Sequence, residues 1–237
     1  MRRTVAAMAA AVAAAAFPCA AAAQAPAAPE PSAAVLAKYA AALQAVEAPK
    51  FVRFEYSVEQ VGQRNIVQTH RVYRSGTRER DEILSVDGQS LPNPSVRIVS
   101  HRVDRYGIAA VAPQVKDYVF TFAGARRTAG HVEYSFSTAP RAAEAPAFGV
   151  TGVVIDDRRY LPSGVLFSMA AHGLKAGGRL TYAPQDRYWM IAEATVTARS
   201  AAGTVSRERI AWSRYAFPSA LPDATFVAPR PLPTSTP

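Results

Sequence analysis

The alternation of apolar and charged side chains over residues 51–88 limits this chain's possible folds more than any other feature. Val52, Phe54, Tyr56 and Val58 alternate with Arg53, Glu55, Ser57 and Glu59, a period of two that puts the apolar groups on one face of a strand and the charges on the other. Turn residues Gly62 to Arg64 lead into a second run over 65–74. Ser75-Gly76 leads into a third over 78–86, and Asp87-Gly88 closes it. Short polar turns between amphipathic runs predict antiparallel pairing in sequence order, so a meander begins here.

The same alternation recurs downstream. Residues 96–103 read as a strand after a Pro- and Asn-containing loop over 89–94, and 106–115 is ambiguous. Tyr118, Phe120 and Phe122 share one face of a hairpin linked through Gly124 and Gly130, with Val132, Tyr134 and Phe136 on the returning face. Residues 141–148 read as a loop or short helix, 150–155 as a strand, and 156–159 as a polar turn. Strands over 164–171, 178–183, 188–199 and 204–217 follow, with same-face residues Val165, Phe167 and Met169, then Leu180 and Tyr182, Met190 and Ala192, and Ile210 and Trp212. Only one helix is predicted, over 32–47, capped by Ser32 and presenting Val35, Leu36, Tyr39, Leu43 and Val46 on one face.

The N-terminus carries an export signal. Arg2-Arg3, an apolar run from Val5 to Phe17 and small residues up to Ala23 form a secretory signal peptide too short to span a bilayer, with cleavage expected after Ala23 and the product in the periplasm. Phe17-Pro18 before Cys19 is wrong for a lipobox. If the single cysteine leaves with the signal, any disulfide, thiolate nucleophile or cysteine-based metal site leaves with it; the alternative is a lipid anchor at Cys19. The domain plan is a signal over 1–23, an Ala/Pro linker over 24–31, one β domain over 32–217 and a Pro-rich tail over 218–237, with Phe226 as a plug against the sheet. The formal charge of +9 becomes +7 when Arg2 and Arg3 depart, since the signal has no acidic residue. A basic exported protein is drawn to anionic headgroups or an acidic protein surface. Coding bias toward alanine, arginine and proline explains the same composition. Nucleic acid is not expected, because the arginines are spread along alternating strands.

Geometry turns the strand count into a functional expectation. Roughly eleven strands at about 4.8 Å spacing give a sheet about 50 Å wide, whereas a sixteen-residue helix covers about 24 Å by 10 Å. The fold class is therefore mainly β with an α lid: a curved antiparallel sheet forming an unclosed barrel of about eleven strands. What the helix and loops leave uncovered is either an apolar cavity or a core filled by the sheet's own side chains. If it is a cavity, Phe54, Tyr56, Tyr118, Phe120, Phe122, Tyr134, Phe136, Phe167, Met169 and Trp212 are its candidate ligand-binding wall.

Val72-Tyr73-Arg74-Ser75-Gly76, Arg80 on the next strand and Leu84-Ser85-Val86-Asp87-Gly88-Gln89 form a pattern that resembles the periplasmic outer-membrane lipoprotein carrier (LolA/LolB-like) superfamily. Ile155 to Pro162 also looks like that superfamily's hairpin before a long strand. The resemblance covers nearly the whole mature chain in element order. It implies an unclosed barrel lidded by helices whose apolar interior carries acyl chains, with Arg74 matching a strand-end arginine that latches the lid. Two departures stand out: Ser75 sits where the superfamily has proline, and Leu91-Pro92-Asn93-Pro94 replaces an aromatic strand.

Catalytic motifs are missing. There is no G-x-S-x-G elbow, H-E-x-x-H, Gly-rich phosphate loop or cysteine pair, and His70, His101, His131 and His172 are scattered. Asp156-Asp157, followed by Arg158-Arg159, reads as a salt-bridged turn. A transmembrane barrel is disfavoured by Arg53, Glu55, Glu59, Glu193 and Glu208 on the expected outer face, and by a Thr-Pro end without a terminal aromatic. The expected function is a non-catalytic carrier or binding protein for lipids or lipoprotein acyl chains, with transient membrane-surface contact and no cofactor or metal. The alternative is a lipid-sensing regulatory or envelope-interaction module that docks an acidic protein partner.

Overall fold

A computed structural model describes residues 30–62, 65–101, 106–128, 130–142, 148–171 and 173–227. The signal, most of the linker, His172, much of the 141–148 segment and the end of the tail lie outside the described residues. The elements are α1 (Ser32–Ala45), β1 (Phe51–Val61), β2 (Ile66–Ser75), β3 (Arg78–Val86), β4 (Gln89–Val99), β5 (Tyr118–Thr128), β6 (His131–Pro140), β7 (Phe148–Asp156), β8 (Leu161–Ala171), β9 (Leu174–Gln185), β10 (Tyr188–Arg199) and β11 (Val205–Ala216). They form one eleven-stranded antiparallel sheet in the order β4-β3-β2-β1-β11-β10-β9-β8-β7-β6-β5. The first and last strands pair with each other, so the two sheet edges are β4 and β5, consecutive in sequence and unpaired in space. The barrel is therefore unclosed, and the described part of the β4–β5 connection, residues 106–117, lies on its concave side as a strap. No helix among the described residues is long and apolar enough to cross a membrane.

α1 and the strap together cover part of the concave face. Val35, Tyr39 and Leu43 are buried, at the helical spacing expected of a packed face. Pro31, not Ser32, occupies the N-cap position: the Ala34 and Val35 amides donate to the Pro31 carbonyl, and no side chain caps the helix. The helix also ends at Ala45, earlier than expected. In the strap, Tyr106, Ile108, Ala112 and Pro113 are buried around a 3-10 turn at Ile108–Ala110, and Gly107 bridges Met190 of β10. The ambiguous segment thus belongs to the core.

Two strand readings change for local reasons. The expected loop over 89–94 is part of β4, although the ladder skips from Ser85–Ser90 to Ile83–Ser95, leaving the stretch 91–94 to bulge. Pro92 and Pro94 can sit there because β4 is an edge, where a missing N–H disrupts no second ladder. The β5–β6 link is shorter than expected: pairing runs out to Thr128–His131, and Gly124, at φ +152°, follows a bulge inside β5. Asp87-Gly88, both at positive φ, makes the predicted β3–β4 turn, and the Asp87 carboxylate accepts from the Val67 amide. The tail also reaches the sheet. Arg78 lies over the Phe226 ring and pairs with Asp223, while Arg80 donates to the Thr225 carbonyl.

The Tyr39 hydroxyl, buried enough to push its pKa far above the ordinary phenol value, donates to the Pro113 carbonyl at 2.7 Å and joins helix to strap. Tyr39→Phe leaves that buried carbonyl unsatisfied and is expected to cost about 1–3 kcal/mol of stability, read from urea unfolding. An unchanged midpoint would remove this bond from the account of how the lid is held.

Candidate functional site

Cross-strand register builds the candidate site. Val58, Ile210, Ala194, Leu180 and Val165 lie directly opposite one another across β1, β11, β10, β9 and β8, forming one apolar row on the concave face. Tyr56 and Trp212 are paired one step toward the strap. One step away from it, Gln60, Glu208, Val196, Gly178 and Phe167 form the next row. Between these rows and Tyr106 of the strap lies an apolar cavity of about 340 Å³, lined by Tyr56, Val58, Leu180, Ile191, Ile210 and Trp212 among others. Further along the same strands, a cavity of about 670 Å³ at the rim is lined by Gln60, Ile66, Leu174, Ser200, Thr204 and Ser206. Polarity therefore rises from strap to rim.

Small side chains leave this room, although not at Gly178: a Cβ there would come within 2.9 Å of the Phe167 ring and collide with the Thr195 carbonyl, so the ring already fills that space. Ala194 and Val196 present short side chains beside it. The cavity's β1–β3 wall is polar instead. Tyr56 stacks on His70 with ring centroids 4.4 Å apart, and its hydroxyl donates to Asp81 Oδ2 at 3.0 Å. His70 Nδ1 lies 2.9 Å from Asp81 Oδ1, and Nε2 lies 3.3 Å from Gln68 Oε1. These groups satisfy one another on three adjacent strands, so Tyr56 gives the cavity its ring and turns its hydroxyl to the wall.

The ten residues proposed as a wall all fall on the concave face but divide by depth. Phe54, Tyr134 and Phe136 are at most 3% exposed and Phe167 is 8% exposed, so they belong to the packed core. Tyr56 and Trp212 line the cavity. Tyr118, Phe120 and Met169 are half-buried, with the Tyr39 ring edge-on to Phe120 at 5.9 Å. Phe122 is 45% exposed, with its ring edge-on to Phe136 at 5.5 Å, and Phe148 is 43% exposed and stacked on Phe167. Arg74 is buried 3.7 Å from Glu79 on β3, its guanidinium 5.8 Å from the Tyr106 ring centroid, so it lies beneath the strap.

Sequence pattern missed Ile191 and Tyr106 as lining residues. Met190 and Ala192 were the expected facing pair, but Ile191 opposes Tyr182 and Glu193 opposes Thr181. The bulge between them reverses the alternation, bringing Ile191 and Ala194 to the cavity. Glu208 also changes sides: its partners Gln60 and Val196 place it on the concave face, not the outer one.

No family model matches the chain, and no curated protein matches it. Among solved structures it is similar to a LolA superfamily protein from Nitrosomonas europaea, at 12% identity and TM-score 0.40 over 83% of this chain and 97% of that one. It is similar to a DUF1329 family protein from Desulfovibrio piger at 12% identity and TM-score 0.44, over 84% and 98% of the two chains. A domain from Vibrio parahaemolyticus described as an outer-membrane lipoprotein-sorting protein aligns at 16% identity and TM-score 0.45, over 81% and 95%.

The remaining polar cluster is structural. Asp156, 1% exposed, accepts from the Arg158 amide at 2.9 Å and from its guanidinium, with His131 Nε2 3.6 Å away. Burial opposes its ionisation, but the Arg158 bonds and His131 outweigh that and hold its pKa below the ordinary value. A depressed carboxylate stabilises the fold above its unfolded pKa of about 4, and that stability is lost as pH falls through the folded value. Asp156→Asn is expected to cost about 1–3 kcal/mol at pH 7, with the gap to wild type closing below about pH 4 in chemical unfolding. A gap independent of pH would show that the carboxylate's charge is not what matters there.

Proposed function

We propose that this protein is a periplasmic, non-catalytic carrier or binding protein for a lipid or acyl chain, held in the concave face between the strap and the rim. The carrying observation is the apolar cavity of about 340 Å³ left open on an otherwise core-forming face, with a polar compartment beyond it. Small-molecule sites span about 300–1,000 Å³. Each buried CH₂ is worth about 0.8 kcal/mol, so an apolar chain supplies its own affinity without a catalytic group. The reading includes export through the signal expected at residues 1–23, into a compartment where acyl chains must cross water between two membranes.

The two tryptophans make the test specific. Trp212 lines the cavity, whereas Trp189 is 4% exposed and donates to the Pro162 carbonyl at 2.7 Å. A brominated long-chain alcohol is expected to quench emission in Trp189→Phe protein and not in Trp212→Phe protein. Val196→Phe, which fills the cavity, should weaken that quenching at least tenfold in concentration. Native mass spectrometry of the purified protein should show bound lipid. Equal quenching of both tryptophans, or none, would overturn the reading.

Arg74 supplies the proposed latch, acting on the strap through Tyr106. Arg74→Leu alone would leave buried Glu79 without its arginine, so the pair is best replaced together as Arg74→Leu/Glu79→Leu, an exchange that is often nearly neutral for folding. A guanidinium–ring contact of about 0.5–2 kcal/mol made only in the closed state predicts about two- to thirtyfold tighter binding of a neutral acyl probe, with slower release. Wild-type binding in the folded double variant would remove the latch. A sensor that docks an acidic partner rests on a different surface, the convex face with exposed Arg53, Arg207 and Arg214. A stoichiometric protein recovered by pull-down at moderate salt would favour that reading.

A further inference from the structure

Glu208 has no cationic partner among the described residues, and this sets it apart from its peers. Every other carboxylate on a described strand has an arginine or histidine nitrogen within 4.0 Å, from Glu55 with Arg71 and Arg214 on the outer face to Asp81 with His70 on the inner one. This happens in a chain with 27 Lys and Arg against 18 Asp and Glu, where a partner would be easy to supply. Its neighbours in register are Gln60 and Val196, and Ile210 and Ser206 flank it on the same face of β11. Ile210 and Val196 line the apolar cavity, while Gln60 and Ser206 line the polar rim. A half-buried carboxylate therefore stands at the boundary between the two compartments.

We propose that Glu208 selects the head of the bound molecule, and that the ligand is a single-chain amphiphile carrying a primary ammonium next to its alkyl chain. This rests on the proposed carrier function. The chain would fill the apolar cavity, whose size suits one chain and not several, and the ammonium would meet Glu208 at its mouth, with the Gln60 amide oxygen and the Ser206 hydroxyl in reach of its remaining protons. A carboxylate beside low-dielectric surface attracts a cation and repels a fatty-acid carboxylate or a phosphate more strongly than it would in open water. The selection opposes the protein's overall charge: a basic protein binding amphiphiles non-specifically would prefer the anionic ones.

Dodecylamine, dodecanol and dodecanoate, each titrated by calorimetry into the full mature chain below their aggregation thresholds, separate the possibilities. Wild-type protein should bind dodecylamine about five- to tenfold more tightly than dodecanol and dodecanoate more weakly than either, with the spread shrinking as salt rises. In Glu208→Gln the amine-to-alcohol ratio should fall to about one. In Glu193→Gln, which alters a carboxylate on the outer face of the neighbouring strand, it should stay at the wild-type value. Dodecanol binding without an amine preference, or a preference that survives Glu208→Gln, overturns this assignment and leaves the carrier reading standing. If dodecanol does not bind at all, both fall together.

Discussion

The architecture depends on one topological constraint: β4 and β5 are adjacent in the chain and lie at opposite edges of an eleven-stranded sheet. Eleven strands at about 4.8 Å would put those edges about 50 Å apart if the sheet were flat, a span the connection could make only nearly fully extended, and curling brings them closer. The described part of that connection, residues 106–117, lies on the concave side. Once there, it needs apolar anchors, which Tyr106, Ile108, Ala112 and Pro113 provide by being buried. It also needs partners for its backbone: Ile191 N donates to the Tyr106 carbonyl, and Tyr39 donates to the Pro113 carbonyl. The lid is thus two layers tied to each other, with α1 held by the strap and the strap held by β10.

Coverage then decides which part of the face is core and which is site. Beneath α1 and the strap, large side chains such as Phe54, Tyr134, Phe136 and Ile155 meet the lid and become inaccessible. Beyond Tyr106 no described residue reaches over β1, β11, β10 and β9, and there the sheet carries Val58, Ala194 and Val196. A sheet that used large aromatics along its whole length would fill its own groove. The change from aromatic to small residues along the concave face creates the cavity, and the change from apolar to polar toward Gln60 and Ser206 gives it a direction.

The period-two alternation made the strand number, the antiparallel order and the facing residues legible, because each depends on local side-chain pattern. What it could not carry was parity across a bulge. Ile191 reached the cavity and Met190 did not because one extra residue before Glu193 reverses the faces, and no composition signal marks that insertion. Gly124 did mark a bulge but read as part of a turn, since glycine serves both uses. Depth was also illegible. Phe54 and Tyr56 are equivalent in the alternation, yet Phe54 meets Tyr106 at 4.8 Å and is sealed, while the Tyr56 ring borders open space. That difference comes from a strap whose position follows from which strands pair, a non-local fact.

Electrostatics on the two faces follow from the same curvature. Outer-face carboxylates pair with arginines on neighbouring strands, and where both partners are open to water, as Glu193 and Arg209 are at 3.0 Å, the pair adds little stability. Inside the curve the sheet lies against low-dielectric lid, where an ion costs more and must be held by a partner. Arg74 and Glu79, with side chains 9% and 1% exposed, meet that requirement across one β2–β3 rung, and Asp81 meets it with His70 and Tyr56. These partnered groups lie along the strands β1–β3 and can only be satisfied when the three strands keep their register. The polar wall therefore fixes the shape of the groove's rigid side, and the opposite side, built from Leu180, Ala194 and Val196, has only apolar contacts to lose when it yields to a ligand.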